Sequence, residues 1–470
     1  MPIVAQQKDL VNEVFRLLER HAGCFRQERV FGRVVALVFG EIMAIAHHTI
    51  SQLIWGLGQE GKDWSAWYRL FSRGRFRGEA AGKVMVAETL THVEADQVYV
   101  VGLDGFQVPR SGKKIEGSGW GKSPRSPAWR VGLHWAQRFF HLSWLTPEAG
   151  SCRRAIPLLV RPAFTHKARR TATPACSEWE AAAESLRWLR AGLTAAGRGC
   201  QPILALADGA FDVVALWCQL EAGVTLLVRT AKNRALFALP GPQHHKNRKY
   251  GERAPAPADW LQVKGGWRTE TIIVRSTPRR LCYRIEGPFL RKGAPGIPLF
   301  LLVIKGQSWA AGPKRRRRQP TFLLVNARWD AITSTWTLPF PPISLLIDAW
   351  HRWELEVAHR EMKTTFGLGD KQCWHPRAAV VSVQWSAWLY GLLLLAGYRT
   401  WGLTPGPRLP TAWWLGGRRW SFNTLWRVLR LSLVKHPDFR PHRAATPYDG
   451  SGPDTFLDLL WRFAQISLPT

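Results

Sequence analysis

Two apolar runs in this chain stop at the same dipeptide. One is "YVVGLDGF", through Asp104 and Gly105, and the other is "ILALADGAF", through Asp208 and Gly209. A short, uninterrupted apolar run closed by a turn signal reads as a strand covered on both faces. Between the two lie "WRVGLHWA" and "RFFHLSWLT", separated by Gln137, which fit an antiparallel meander, and then the helical stretch "SEWEAAAESLRWLRAGLTAAG". A helix, "VVALWCQLEAG", and a further strand, "VTLLVRTAKN", follow the second run. Strands in series, then helix and strand in alternation, predict an α/β fold with a mixed sheet.

The rest of the 470 residues divides by pattern. Residues 1–92 carry apolar positions at helical spacing, and Arg69, Arg73, Arg75 and Arg77 are interleaved with aromatics. That suits a helical N-terminal DNA-binding domain, or equally a helical cap on the next domain. Residues 93–232 form the first part of the core. Residues 233–340 change character to Pro/Gly clusters and β-rich runs, with a basic tract at His244, His245, Lys246, Arg248 and Lys249. This β-rich insertion contains "GPKRRRRQP", and five adjacent cations, Lys314 to Arg318, predict an exposed loop. Residues 341–375 return to helix as the second part of the core, and 376–470 form a helical, Trp-rich C-terminal region.

Charge narrows the partners. Lys and Arg number 65 against 34 Asp and Glu, a formal +31. Such an imbalance opposes compaction and favours a polyanion: DNA or RNA first, an anionic membrane surface second. The seven cysteines are scattered without a CxxC pair, so no zinc ribbon or disulfide framework is indicated. No apolar signal core opens the chain, and "AWLYGLLLLAGY" is too short to span a bilayer and better suits a buried helix. These features place the protein in the cytoplasm.

Chemistry concentrates in "HRWELEVAHREMKTTFGLGDKQCW", residues 351–374, which reads as a helix ended by a Gly-x-Gly break. At about 100° per residue, Arg352, Glu356, His359 and Lys363 share one stripe roughly 60° wide. Leu355, Met362 and Phe366 flank it on the core side, while Glu354 and Glu361 point elsewhere, toward solvent. Singly, each feature is ordinary: Asp before Gly is turn chemistry, and Arg and Glu four apart make a common helical pair. His359 touches DNA or simply fills the stripe. Together, Asp104, Asp208 and Glu356 can hold two Mg²⁺ ions for phosphodiester cleavage, with Arg352 and Lys363 beside them for flanking phosphates. Asp212, one helical turn beyond Asp208, is the rival ligand; Asp208 is preferred because it ends the strand directly. Arg315, Arg316, Arg317 and Arg318 would add salt-sensitive backbone binding.

Residues 95–375 resemble the DDE transposases of bacterial insertion sequences, in the branch with a β-rich insertion before the final Glu. That branch carries Tyr, two residues, Arg, three residues, Glu, six residues, Lys. Arg352, Glu356 and Lys363 reproduce the last three members at matching gaps, and Ala349 stands at the Tyr position. "GLDGF" and "LADGAFD" resemble the two aspartate motifs, with Phe211 at the usual aromatic, and Arg229 is similar to a basic family position. The resemblance implies an RNase H-like core and Mg²⁺-dependent cleavage and strand transfer of transposon ends, with Mn²⁺ able to substitute. It also implies a homodimer on DNA bearing terminal inverted repeats, in a prokaryotic cytoplasm at the nucleoid. Two other readings share these residues: a domesticated, inactive DNA-binding protein, and an RNase H-like nuclease without strand transfer.

Overall fold

The computed structural model describes residues 3–44, 47–123, 126–127, 129–241, 248–274, 277–311, 314–403, 406–407 and 419–433. His244, His245 and Lys246, most of the segment 404–418 and the chain beyond 433 lie outside the described residues.

The protein is α/β. Five helices come first: α1 (Ile3–Arg20), α2 (Glu28–Met43), α3 (Ile50–Gly56), α4 (Ser65–Ser72) and α5 (Gly78–Leu90). Four strands follow, β1 (Tyr99–Pro109), β2 (Ser118–Lys122), β3 (Leu133–Leu145) and β4 (Ala155–Pro162). Then come α6 (Glu178–Ala195), β5 (Ile203–Ala207), a single helical turn α7 (Val214–Trp217) and β6 (Val224–Arg229). β1 pairs antiparallel with β3 and parallel with β5, and β5 pairs parallel with β6, so the sheet is mixed.

Two strands depart from the sequence pattern. The two runs expected around Gln137 are one strand, β3, because Gln137 is buried with a partner: its side-chain oxygen accepts from Arg110 Nε at 2.7 Å. β4, "AIPLLVRP", carries no strand signature because proline cannot donate to a ladder; it sits on an edge, pairing only with β3.

The region expected to be an insertion, 233–340, comprises β7 (Phe237–Ala238), β8 (Arg268–Val274), β9 (Thr277–Arg291), β10 (Ala294–Ile304), β11 (Gln307–Ala311), β12 (Lys314–Arg318), β13 (Thr321–Asn326), β14 (Arg328–Asp330) and β15 (Thr335–Thr337). It continues the same sheet through β7, β8, β9, β10 and β13, while β11–β12 and β14–β15 form two separate two-stranded sheets. β13 pairs antiparallel with β6, β10 with β13, and β9 with β10. The basic run "KRRRR" is therefore strand β12, hairpinned to β11, rather than a loop. An extended strand sends successive side chains to opposite faces, which relieves the repulsion that argued for a loop.

The chain returns through α8 (Pro342–His351), α9 (Trp353–Thr364), α10 (Pro376–Trp401) and α11 (Phe422–Leu433). α8 covers one face of the sheet, where Leu345 and Leu346 join Val100, Leu204, Leu206 and Leu227 in one core. A second core unites α1, α2, α6, α10 and α11, so the N-terminal helices share their interior with the C-terminal ones instead of forming a separate module. α10 is longer than the apolar run suggested. Its 26 residues could cross a bilayer by length, but 89% of its most apolar window is buried inside the protein. The seven thiols are unpaired.

α9 reaches the sheet at Gly102. A Cβ there would lie 2.5 Å from Leu355 Cδ2, so the helix packs where the strand has no side chain. Gly102→Val should therefore push α9 off β1, at a cost of about 1–3 kcal/mol from overpacking. Thermal unfolding, with Gly112→Val as a control nearer the surface, measures it.

Candidate active site

β1 positions Asp104, and it does so in mid-strand. The antiparallel ladder with β3 runs on to Pro109, whereas the parallel ladder with β5 stops at Leu103–Ala207. Asp104 thus stands where one flank of the strand loses its neighbour, a one-sided end that the sequence pattern renders as a full one. Continuing that register by one residue sets Asp104 beside Asp208. Alternation puts Asp104 on the side of Gly102, and Asp208 on the side of Leu206, the same face. Asp208 caps a short 3₁₀ turn, Gly209–Phe211, accepting the Ala210 amide at 2.9 Å.

Glu356 comes from the first turn of α9. The helix expected to run unbroken from His351 is interrupted at Arg352, which joins α8 to α9 with helical dihedrals (φ −51°, ψ −29°). The break preserves the four-residue spacing, and Arg352 Nη2 donates to Glu356 Oε1 at 2.7 Å.

These groups feel one another. Burial pushes the Asp104 carboxyl up to about 7, and the negative charge of Asp208 adds to it. Arg352 and the Gly105 amide oppose that rise, and Glu356 contributes to it. A buried carboxyl whose ionisation two neighbouring acids oppose is a setting that a divalent cation relieves. A fourth acid lies close by. A Cβ at Gly105 would fall 2.5 Å from the Glu178 carboxyl carbon, on the strand face opposite Asp104. Burial raises Glu178 too, Arg138 at 3.7 Å counters it, and Asp208 adds to it. In the sequence Glu178 hides behind Ser177 and Glu180, whose capping box marks it as an ordinary first-turn acid.

His359, one turn beyond Glu356, turns inward. Its Nδ1 lies 3.5 Å from Asp104 Oδ2, and its ring packs tilted against that of His141, 4.4 Å between centroids. Burial, then His141 and Lys363, hold it well below its ordinary pKa. Lys363, in the last turn of α9, is half-buried and close enough to bear on both imidazoles.

Two expectations are corrected. Glu354 is buried rather than solvated, accepting from Arg419 Nη1 at 2.9 Å. Glu361 accepts the Tyr390 hydroxyl at 2.6 Å and lies 3.7 Å from Arg154. Both face α10 and the Trp420 segment, which cover the side of α9 that an isolated amphipathic pattern leaves open. The rival ligand Asp212 is a buried clamp: it accepts from Thr230 at 2.6 Å and Trp217 at 3.1 Å and bridges Arg234 at 2.7 Å and Arg291 at 2.5 Å.

The remaining cations divide. Arg229 ends β6, exposed, and shares a cavity of about 280 Å³ with Arg318, Arg352, Ala349 and Trp350 at the ends of β5 and β6. Arg318 lies 3.9 Å above the Trp350 ring. Arg315, Arg316 and Arg317 share β12 with Arg318, but their side chains lie outside the described residues.

Comparison with protein-family models and with curated proteins finds no match. The chemistry of the site rests on its own residues.

The raised Asp104 acid gives a signed prediction. Its stabilising contribution is complete below its ordinary value of 3.8 and is lost as pH rises through about 7. In chelator at pH 8, Asp104→Asn should be more stable than the parent by on the order of 1–4 kcal/mol. That margin should close as pH falls from 7 toward 4; denaturant unfolding across this range measures it.

Proposed function

We propose that the protein is a DDE-type transposase that cleaves the ends of its own element and joins them to target DNA. The observation that carries the reading is that Asp104 of β1 stands near enough to Asp208, at the end of β5, and to Glu356 of α9 for both charges to bear on its ionisation, with Arg352 bonded to Glu356. The sheet supports it: three antiparallel strands, β4, β3 and β1, continue into parallel β5 and β6 with the first aspartate on β1 at the join. We read that unit as an RNase H-like core.

The carboxylates fit Mg²⁺, an oxygen-seeking ion that retains open positions for water and phosphate. When bound, two such ions would activate the attacking oxygen and stabilise the leaving one. The protein's own groups supply position and charge. Arg352 fixes the Glu356 carboxylate and lines the cavity beside Asp208 with Arg229 and Arg318, whose guanidiniums match phosphate oxygens. A formal charge of +31 draws the polyanion toward the whole surface. In this reading the partners are terminal inverted repeats and target DNA, the active form on DNA is a homodimer, and the protein works at the nucleoid.

The test uses the full chain, Mg²⁺ and DNA carrying the sequences that flank its gene. The parent should nick the element ends and join them to a second DNA. Asp208→Ala and Glu356→Ala should each reduce both steps about 10³-fold or more, as loss of one member of an interdependent set does. Undiminished cleavage in either variant would sink the assignment. Binding without cleavage would point to an inactive DNA-binding protein, and cleavage without joining to a nuclease.

A further inference from the structure

Two imidazoles that the carboxylate set leaves unused converge on Asp104, one from β3 and one from α9. His141 faces Asp104 directly across the β1–β3 ladder and is fully buried, with Nδ1 2.8 Å from the Ser143 hydroxyl. His359 approaches from α9, with Nδ1 3.5 Å from Asp104 Oδ2 and its ring packed on His141 and on Phe106 at 5.0 Å. The Nε2 atoms of both rings are buried without a hydrogen-bond partner. Folded proteins pair nearly all such atoms, so two orphaned ring nitrogens beside one carboxylate ask for an occupant.

One donor atom each from Asp104, His141 and His359 lies within 4.8 Å of the other two. Two imidazole nitrogens and one carboxylate oxygen, with a fourth position left to water, are a donor set for Zn²⁺ or Co²⁺. Mg²⁺ takes oxygen and would leave both nitrogens unused. Bonds of about 2.0–2.1 Å place tetrahedral donors roughly 3.3 Å apart, so side-chain rotations of about an ångström would close the set. The Ser143 hydroxyl on His141 Nδ1 is the kind of outer partner that fixes which nitrogen a ligating imidazole presents.

We propose that Asp104, His141 and His359 form a binding site for a borderline divalent cation of the Zn²⁺ class. The site stands on its donors alone. Its consequence rests on the transposase reading: Asp104 belongs to both sets, so a Zn²⁺-class ion held by the imidazoles withdraws that carboxylate from Asp208 and Glu356 and inhibits the Mg²⁺-dependent reaction.

The probe is Co²⁺ added to the chelator-treated full chain, followed by visible absorption and by displacement with Zn²⁺. The parent should show tetrahedral Co²⁺ bands saturating at one ion per chain. His359→Gln and His141→Phe should each weaken binding by more than about 100-fold, the upper end of what loss of an outer-shell partner costs. Asp208→Asn and Glu356→Gln should leave the bands in place. Circular dichroism establishes that each variant is folded; should His141→Phe fail, His359→Gln decides. Bands unchanged in folded His359→Gln, or abolished by Asp208→Asn or Glu356→Gln, would overturn the site, as would their absence from the parent. Failure of the transposase reading is seen separately, in Mg²⁺ and DNA without Co²⁺. Where cleavage is present, Zn²⁺ should inhibit the parent at far lower concentration than His359→Gln, and equal inhibition would overturn the competition.

Discussion

At Gly102 the central strand has no side chain, and Leu355 of α9 fills the space a Cβ would occupy. The opposite side of the same helix is held by charge instead of shape: Glu354 to Arg419, and Glu361 to Tyr390 and Arg154, which itself lies 4.0 Å over Trp420. α9 is thereby clamped between an apolar contact that sets its height above β1 and buried polar contacts that set its rotation. Glu356 and His359 lie on the sector left between these two, and it faces Asp104. Removing one partner from a buried ionic contact strands the other in low dielectric, so this clamp tolerates little drift.

A second buried charge ties the helical layer to the same segment. Glu41 of α2 is enclosed with Lys371 at 2.6 Å, His48 at 2.6 Å and the Trp385 indole at 2.9 Å. Burial alone would raise its pKa, but Lys371 and His48 hold it down at about 2. A depressed carboxylate stabilises the fold above its ordinary value of 4.5 and ceases to do so as pH falls toward about 2. Lys371 follows the Gly367–Gly369 break, where both glycines have positive φ, so the end of the α9 segment is fastened to the N-terminal helices.

What the sequence discloses follows from what each residue needs locally. The strand that carries Asp104, the strand end at Asp208 and the helix that carries Glu356 are legible because nearly continuous apolar runs and a helical stripe are short-range patterns, whereas the continuation of β1 past Asp104 depends on its pairing with β3. β4 is not, since Pro157 mimics a breaker and only an edge position makes it acceptable. The fates of Glu354 and Glu361 depend on α10 and on Arg419, groups distant in sequence, so periodicity alone assigns them to solvent. Arg318 misleads for the same reason: repulsion among neighbours argues for a loop, while pairing of Lys314–Arg318 with β11 and the Trp350 ring supply what the run cannot. Glu178 and His141 belong to elements whose patterns are complete without them, and only the closeness of α6 and β3 to β1 brings them into view.

The antiparallel pairing of β13 with β6 bears on how such a protein can change over time. Inserted segments that hang from a core by two linkers can be lost, lengthened or exchanged with little effect on what carries them. Here β13, β10 and β9 extend the hydrogen-bonded plane that holds both aspartates. Trimming them would uncover the Leu227–Arg229 edge and strip Arg318 from the cavity at its end. The segment is thus bound to the core's inheritance: core and insertion must vary together, and a graft that moved either alone would carry an open sheet edge with it.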